Sequence, residues 1–280
     1  MKIAIITDST AYLEQSLIKK HNIHIVPLNV IIGDQSYEEE TELIAERFYP
    51  LVRNSRELPK TSQPSIGYMT DKLNELAKEY QAVISIHLSS GISGTFQTMQ
   101  SAGKIAKEID VYPYDSEVSA MAQGFYVLEA AKMAEEGATP DEIFARLDEM
   151  KQSLRAYFVV DDLQHLQRGG RLSGAQALIG GMLQVKPILH FVDKKIVPFE
   201  KIRTQKKALK RISELFDEDA KKGKKIRGVV IHANVPELAK EFRDELQSQY
   251  LNVDLDISYF GAVIGTHLGE GSLGLAWYTE

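Results

Sequence analysis

The chain has 280 residues, of which 44% are hydrophobic and 26% charged, with a net charge of −6 and no cysteine. That length exceeds one hydrophobic core and suits two domains. The acidic balance argues against a nucleic-acid binder, and the lack of cysteine excludes disulfides, thiolate catalysis and cysteine zinc sites. The opening MKIAIITDST has too short an apolar run for a secretory signal, and no stretch reaches the roughly eighteen apolar residues of a spanning helix, so a cytoplasmic location is expected.

In chain order, Ile3 to Ile6 reads as a buried parallel strand ending in Thr7-Asp8-Ser9-Thr10. Asn22 to Ile32 is a second β-rich stretch, with a hairpin turn at Gly33-Asp34. Thr41 to Val52 has helical period. Leu58 to Ser65 reads as a loop, with Ser65 the natural cap of a helix running to Tyr80. Ala82 to Leu88 is a strand and Gly94 to Glu108 a helix; Val111 to Tyr114 is a strand, followed by a helix over 119–136. Thr139-Pro140-Asp141-Glu142 opens another helix with a capping Thr, Pro at the first position and Glu three residues after the cap. This alternation predicts a parallel α/β sheet over the first half.

The pattern changes near residue 155. Tyr157 to Val160 is a strand, and a helix of little polarity is expected over 175–185 after Arg168-Gly169-Gly170-Arg171. Its Gly180-Gly181 costs roughly 1 kcal/mol per glycine in helix stability, which fits either a tightly packed core helix or a lipid passing close to the backbone. Pro187 to Val192 and Lys195 to Ile202 read as a hairpin around Asp193-Lys194. A charged helix (205–222), a strand (226–232), a helix (236–250) and a strand (253–259) follow, then a glycine-rich stretch from Gly265 to Ser272 and a final strand. The expected layout is an N-terminal parallel-sheet, Rossmann-like α/β domain over 1–154 and a C-terminal α/β domain over 155–280.

Serines crowd the bend Leu88-Ser89-Ser90-Gly91-Ile92-Ser93-Gly94-Thr95. The G-x-S-x-G elbow of serine hydrolases is not met, because the second glycine comes one residue early. A hydrolase would also need a base and an orienting acid, for which His267 with Asp8 or Asp115 are candidates. The bend also suits ligand binding: it precedes a helix N-terminus, where N–H groups lack partners, and it lies at the carboxyl end of a strand, where open α/β sheets bind ligands. Helix capping by Ser93 is the plainer alternative. A second hydroxyl cluster, Thr61-Ser62, lies before Ser65. Neither cluster is a P-loop or a dinucleotide fingerprint. The histidine spacings carry no metal motif.

Lys206, Lys207, Lys210 and Arg211 crowd the first turns of the helix expected over 205–222, against the helix dipole. With Arg168, Arg171 and Arg203 they form either a docking patch for an acidic partner or phosphate, or a solvated helix face.

Taken together, these motifs resemble the DegV family of fatty-acid-binding proteins. The resemblance covers the whole chain and rests on Thr7-Asp8-Ser9-Thr10, Lys60-Thr61-Ser62-Gln63-Pro64-Ser65, Leu88-Ser89-Ser90 with Ser93-Gly94-Thr95, Arg168-Gly169-Gly170-Arg171-Leu172-Ser173, and Thr266-His267-Leu268-Gly269. It implies two α/β domains with one long-chain fatty acid, such as palmitate, buried between them. It also implies a carrier without catalysis or cofactor, whose bound carboxylate a separate kinase protein phosphorylates to an acyl phosphate. Thr61, Ser62, Ser93, Gly94, Thr95 and His267 would form the carboxylate site. Arg171, with Arg168 and Arg203, would face the kinase from a surface loop. One departure is Glu270, where the family pattern H-x-G-P-G has proline; it would bring a negative charge near the carboxylate site. The competing reading is a serine esterase or thioesterase using Ser93 and His267.

Overall fold

The structure is a computed structural model, and it describes residues 1–53, 58–173 and 186–280. The helix expected over 175–185 lies outside the described residues.

The strand expected at Ile3 is β1 (Ile3–Asp8), and every residue in it is buried. It pairs in parallel with β2 (His24–Val26) and β6 (Ala82–His87), and β6 pairs in parallel with β7 (Asp110–Asp115). The first sheet thus has the order β2-β1-β6-β7 and is all parallel, as the strand–helix alternation predicts.

The expected β-rich stretch over 22–32 is divided between two sheets. Pro27 follows β2, and a proline cannot donate to a continuing ladder. The chain then enters β3 (Asn29–Ile32), which forms a hairpin with β4 (Gln35–Glu38) through Gly33, whose φ of 59° favours glycine. The segment 58–65, expected to be a loop, contains a short strand, β5 (Lys60–Ser62), paired antiparallel with β3. Its register sets Thr61 opposite Val30.

The second sheet draws its strands from residues 155 onward and is mixed, in the order β10-β9-β8-β13-β11-β12. These are β8 (Arg155–Val159), β9 (Ile188–Val192), β10 (Lys195–Glu200), β11 (Ile226–His232), β12 (Val253–Tyr259) and β13 (Leu273–Thr279). The β9–β10 hairpin turns at Asp193 and Lys194, which have φ of 46° and 71°. β13 lies between β8 and β11, antiparallel to both.

The helices make layers with these sheets. Helices α3 (Ile66–Leu76) and α4 (Thr95–Ile105) cover one face of the first sheet, burying Met69, Leu73 and Met99 against Ile6 and Val83. Ser65 caps α3 as expected, its side chain accepting from Tyr68 N. Helices α8 (Gln205–Ala220) and α9 (Pro236–Gln249) cover the outer face of the second sheet. Between the sheets lie α5 (Met121–Glu135) and α6 (Pro140–Ser153), the latter opened by the expected capping box of Thr139 and Glu142. Helix α5 touches β1 and β6 on one side and β11 and β13 on the other. That position explains its lack of a polar face, since a helix flanked by two sheets buries most of its circumference. One core cluster runs through both sheets, from Ile5 and Ile84 through Phe125 to Val229 and Ala276. Among the described residues no helix is long and apolar enough to cross a membrane.

Three short helices were not expected from the sequence: α1 (Gln15–Lys20), between β1 and β2, and two later ones. Helix α7 (Leu163–Arg168) is capped by Asp162, and α10 (Ala262–Leu268) falls in the glycine-rich stretch. Helix α2 (Ala45–Arg53) begins four residues later than the period suggests.

Candidate functional site

A cavity of about 370 Å³ lies between the sheets. Most of its wall is apolar: Phe158 from β8, Phe191 from β9, Ile231 from β11, Phe260, and Val263 and Ile264 from α10. Where β8 and β13 run beneath it, Ala156 and Ala276 are direct cross-strand partners and leave space that larger side chains would fill. Ala120, the N-cap of α5, also lines the cavity and holds an unusual φ of 56° and ψ of −153°.

Polar groups gather at one end. β5 supplies Thr61 and Ser62, with Gln63 following; the bend after β6 supplies Ser93; α10 supplies His267; and the segment after α7 supplies Arg171. His267 Nε2 is 2.8 Å from Thr61 Oγ1. Burial, with Arg171 and His165 nearby, pushes the His267 imidazole down to about 3, so it is neutral at neutral pH. Its Nδ1 is buried without a hydrogen-bond partner among the described residues. Gly169 is pressed against that ring, since a Cβ there would lie 2.5 Å from Nδ1.

The six expected carboxylate-site residues take different positions. Thr61, Ser62, Ser93 and His267 line the cavity. Thr95 is fully buried beside it and lies 2.8 Å from the Ser93 hydroxyl, which also accepts from the Thr95 N–H at 3.3 Å. Gly94 caps α4 and lines a shallow neighbouring groove; a Cβ there would collide with the Gln63 side chain.

The rest of the serine bend holds the two sheets together. Ser89 Oγ donates to the Lys194 carbonyl at 2.6 Å and accepts from Gly91 N at 3.2 Å. Lys194 Nζ pairs with Asp115 at 3.0 Å, and the same carboxylate accepts from Ser90 N at 3.1 Å. The tip of the β9–β10 hairpin is thereby clasped to the C-terminal ends of β6 and β7. The Thr7-Asp8-Ser9-Thr10 motif is likewise internal. Asp8 accepts from Thr10 N and Oγ1, His87 Nδ1, Leu88 N and Gln123 Nε2. Burial pushes its carboxyl up, but these partners outweigh burial and hold it below its ordinary value.

Arg171, expected on a surface loop, is half-buried and turned toward the cavity. Its Nε donates to the Ile92 carbonyl at 3.2 Å and Nη1 to the Gly169 carbonyl at 2.6 Å. Burial lowers its pKa, but a guanidinium stays cationic. Arg168 and Arg203 are exposed, and Arg168 bonds Gln164. Glu270 turns away from the polar end: Arg53 binds its carboxylate through Nε and Nη2, Asn234 donates at 2.7 Å, and it lines a separate cavity with Tyr49 and His165. Both flanking glycines, Gly269 and Gly271, have positive φ (77° and 83°), so the turn keeps its shape without a proline. In the basic helix, Arg211 is taken up by Glu200 and Glu214, whereas Lys206, Lys207 and Lys210 are exposed.

A serine hydrolase is not assembled from these parts. Ser93 bonds Thr95, His267 Nε2 bonds Thr61, and no acid orients His267 Nδ1 among the described residues. Nor do three acidic or histidine side chains converge as metal ligands among them. Gln63 and Arg171 are residues at the polar end of the cavity that sequence reasoning did not place there, and the apolar lining carried no signal in the sequence. Both lay inside the quoted motifs, but which way their side chains point depends on tertiary packing.

The model "Uncharacterised protein, DegV family" matches residues 2–280. The chain belongs to the DegV family. Protein DegV of Bacillus subtilis is 57% identical over 278 residues, covering 99% of both chains. The crystal structure of DegV from Bacillus subtilis, described as a fatty acid binding protein, superposes with a TM-score of 0.96 at 56% identity over 100% of both chains. A DegV family protein from Thermus thermophilus, whose structure is described in terms of fatty acid binding, gives 0.93 at 30% identity, again over 100% of both. The DegV resemblance noted from the motifs therefore holds over the full chain and the full fold.

Proposed function

We propose that the protein binds one long-chain fatty acid in the cavity between its sheets and presents the carboxylate to a separate kinase, without catalysis of its own. The observation that carries this reading is the cavity's polarity: a long apolar wall with one end of hydroxyls, a neutral imidazole and a single cation. Such a site suits a carboxyl group with an alkyl tail. The fatty-acid binding described for the Bacillus subtilis and Thermus thermophilus relatives supports it. At about 0.8 kcal/mol per buried methylene, a tail of roughly fifteen supplies on the order of 12 kcal/mol before the costs of association.

In this reading Thr61, Ser62, Ser93 and His267 receive the carboxyl group, Thr95 orients the Ser93 hydroxyl, and Gly94 admits Gln63. Arg171 adds positive charge at the carboxylate end, and Arg168 and Arg203 face the kinase. Mass spectrometry of the purified protein, native and then denatured, tests the first claim. One fatty acid of excess mass that leaves on denaturation is expected; failure to take up any long-chain acid offered refutes it. Formation of acyl phosphate when kinase, ATP and the loaded protein are combined tests the second.

A further inference from the structure

Helix α10 carries His267 but supplies no cap of its own. Its N-cap is Gly261, which has no side chain, and the first N–H groups of a helix have no intrahelical acceptor. The acceptors come from the first half of the chain. Glu39, just after β4, takes the Val263 N–H on Oε1 at 2.6 Å. The Tyr12 hydroxyl takes the Ile264 N–H at 3.2 Å and donates to the same Oε1 at 2.8 Å. Ser9 Oγ lies 2.6 Å from Oε2, and Tyr49 holds the Phe260 carbonyl at 2.6 Å just ahead of the helix. Gly261 is required by this arrangement, because a Cβ would lie 2.9 Å from Tyr12 Cζ and 3.0 Å from Glu39 Oε1.

Glu39 is 1% exposed, and among the described residues no cation pairs with it. Burial pushes its carboxyl up to about 8, with Glu40 adding to the rise against the bonds from Ser9, Val263 and Tyr12. At neutral pH it is mostly the acid. Oε1 accepts two donors, and Oε2 accepts from the Ser9 hydroxyl. Such a group is a costly choice for packing alone. Its geometry fits one task, which is holding the first turn of α10. His267 lies one helical turn after Val263, so a shift at the cap is carried to the imidazole and its bond with Thr61.

We propose that Glu39 is a positioning residue for the ligand's head group: by capping α10 from the opposite half of the molecule, it fixes His267 against Thr61. The head-group role rests on the fatty-acid reading above; the fixing of His267 does not. The test uses the full-length protein with E39A, E39Q, H267A and the E39A/H267A double variant, palmitate as the titrant, and ¹⁵N-histidine NMR of the ligand-free proteins.

Loss of the cap in E39A is expected to weaken palmitate binding about tenfold. Glutamine keeps the Oε1 acceptor for Val263 and Tyr12, and the rotatable Ser9 hydroxyl turns to accept from its amide N–H, so E39Q is expected to stay within about twofold of wild type. In the H267A background the E39A change should have no further effect. Unchanged affinity in E39A, or an equal loss in both backgrounds, overturns the proposal. If the wild-type protein binds no fatty acid, the functional reading fails and the NMR arm decides alone. His267 ring signals moved by E39A and kept by E39Q support the positioning role, and unmoved signals overturn it. Should E39A fail to fold, Y12F removes the other link to the cap, and the same His267 signals decide.

Discussion

Gly91→Ala is the sharpest probe of how the two sheets are joined. A Cβ built there falls 2.6 Å from the Lys194 carbonyl carbon and 2.9 Å from the Lys194 Cβ, well inside any real approach. The obstacle is backbone, at the tip of a two-residue turn whose residues both have positive φ, so it cannot give locally. The hairpin tip must lift away. Overpacking of this kind costs about 1–3 kcal/mol. The 2.6 Å bond from Ser89 to the Lys194 carbonyl goes with it, for roughly 0.5–1.5 kcal/mol. The Lys194–Asp115 pair is left out, because the lysine is solvent-screened. The expected destabilisation is about 2–4 kcal/mol. Gly94→Ala is the control: the atoms nearest its Cβ belong to the end of the Gln63 side chain, which can rotate at the expense of its bond to Thr98, so the expected cost is under about 1.5 kcal/mol. Urea unfolding read through Trp277, the single tryptophan and 1% exposed, measures both. A Gly91→Ala protein no less stable than Gly94→Ala would refute the reasoning.

Four further outcomes follow from the structure. The unfolded His267 imidazole takes a proton that the buried one refuses, so its contribution is complete above pH 6.5 and is lost as pH falls toward about 3; His267→Asn should flatten that acid limb in denaturation measured across pH. Glu39 has the opposite sign: its folded pKa is raised from 4.5 to about 8, so stability is lost as pH rises through that window, and Glu39→Gln should remove the slope. Thr61→Val should weaken fatty-acid binding several-fold, by roughly 1 kcal/mol for one lost hydrogen bond, while Thr61→Ser retains it; equal affinities in a titration would exclude Thr61 from the site. Ala120→Gly should leave the melting temperature unchanged or raised, because glycine relieves a backbone conformation that costs alanine about 1–3 kcal/mol; a clear drop would show that the conformation is unstrained.

The elements legible in the sequence are those whose causes are local. Apolar runs give β1 and β6, the Thr139–Glu142 box starts α6, and the Asp193-Lys194 turn makes the β9–β10 hairpin. The missed elements are made by distant partners. Lys60-Thr61-Ser62 has no strand pattern and becomes β5 because β3 offers an edge. Ala262–Leu268 has a glycine inside it and becomes α10 because Glu39 and Tyr12 cap it from more than two hundred residues away. The site divides in the same way. The hydroxyls and His267 were visible as residue types, but Ser89 serves the hairpin clasp instead of the cavity, and Arg171 turns inward instead of outward.

The placement of β13 has a consequence for synthesis. This strand follows every other strand of the second sheet in the chain, yet it occupies the sheet's interior, with β8 and β11 as its neighbours. Until residues 273–279 are made, β8 and β11 each lack a neighbour on one side, and α5 lacks one of the strands it packs on. The second sheet cannot close before that strand is available. The nascent chain therefore carries open sheet edges on β8 and β11 until β13 arrives.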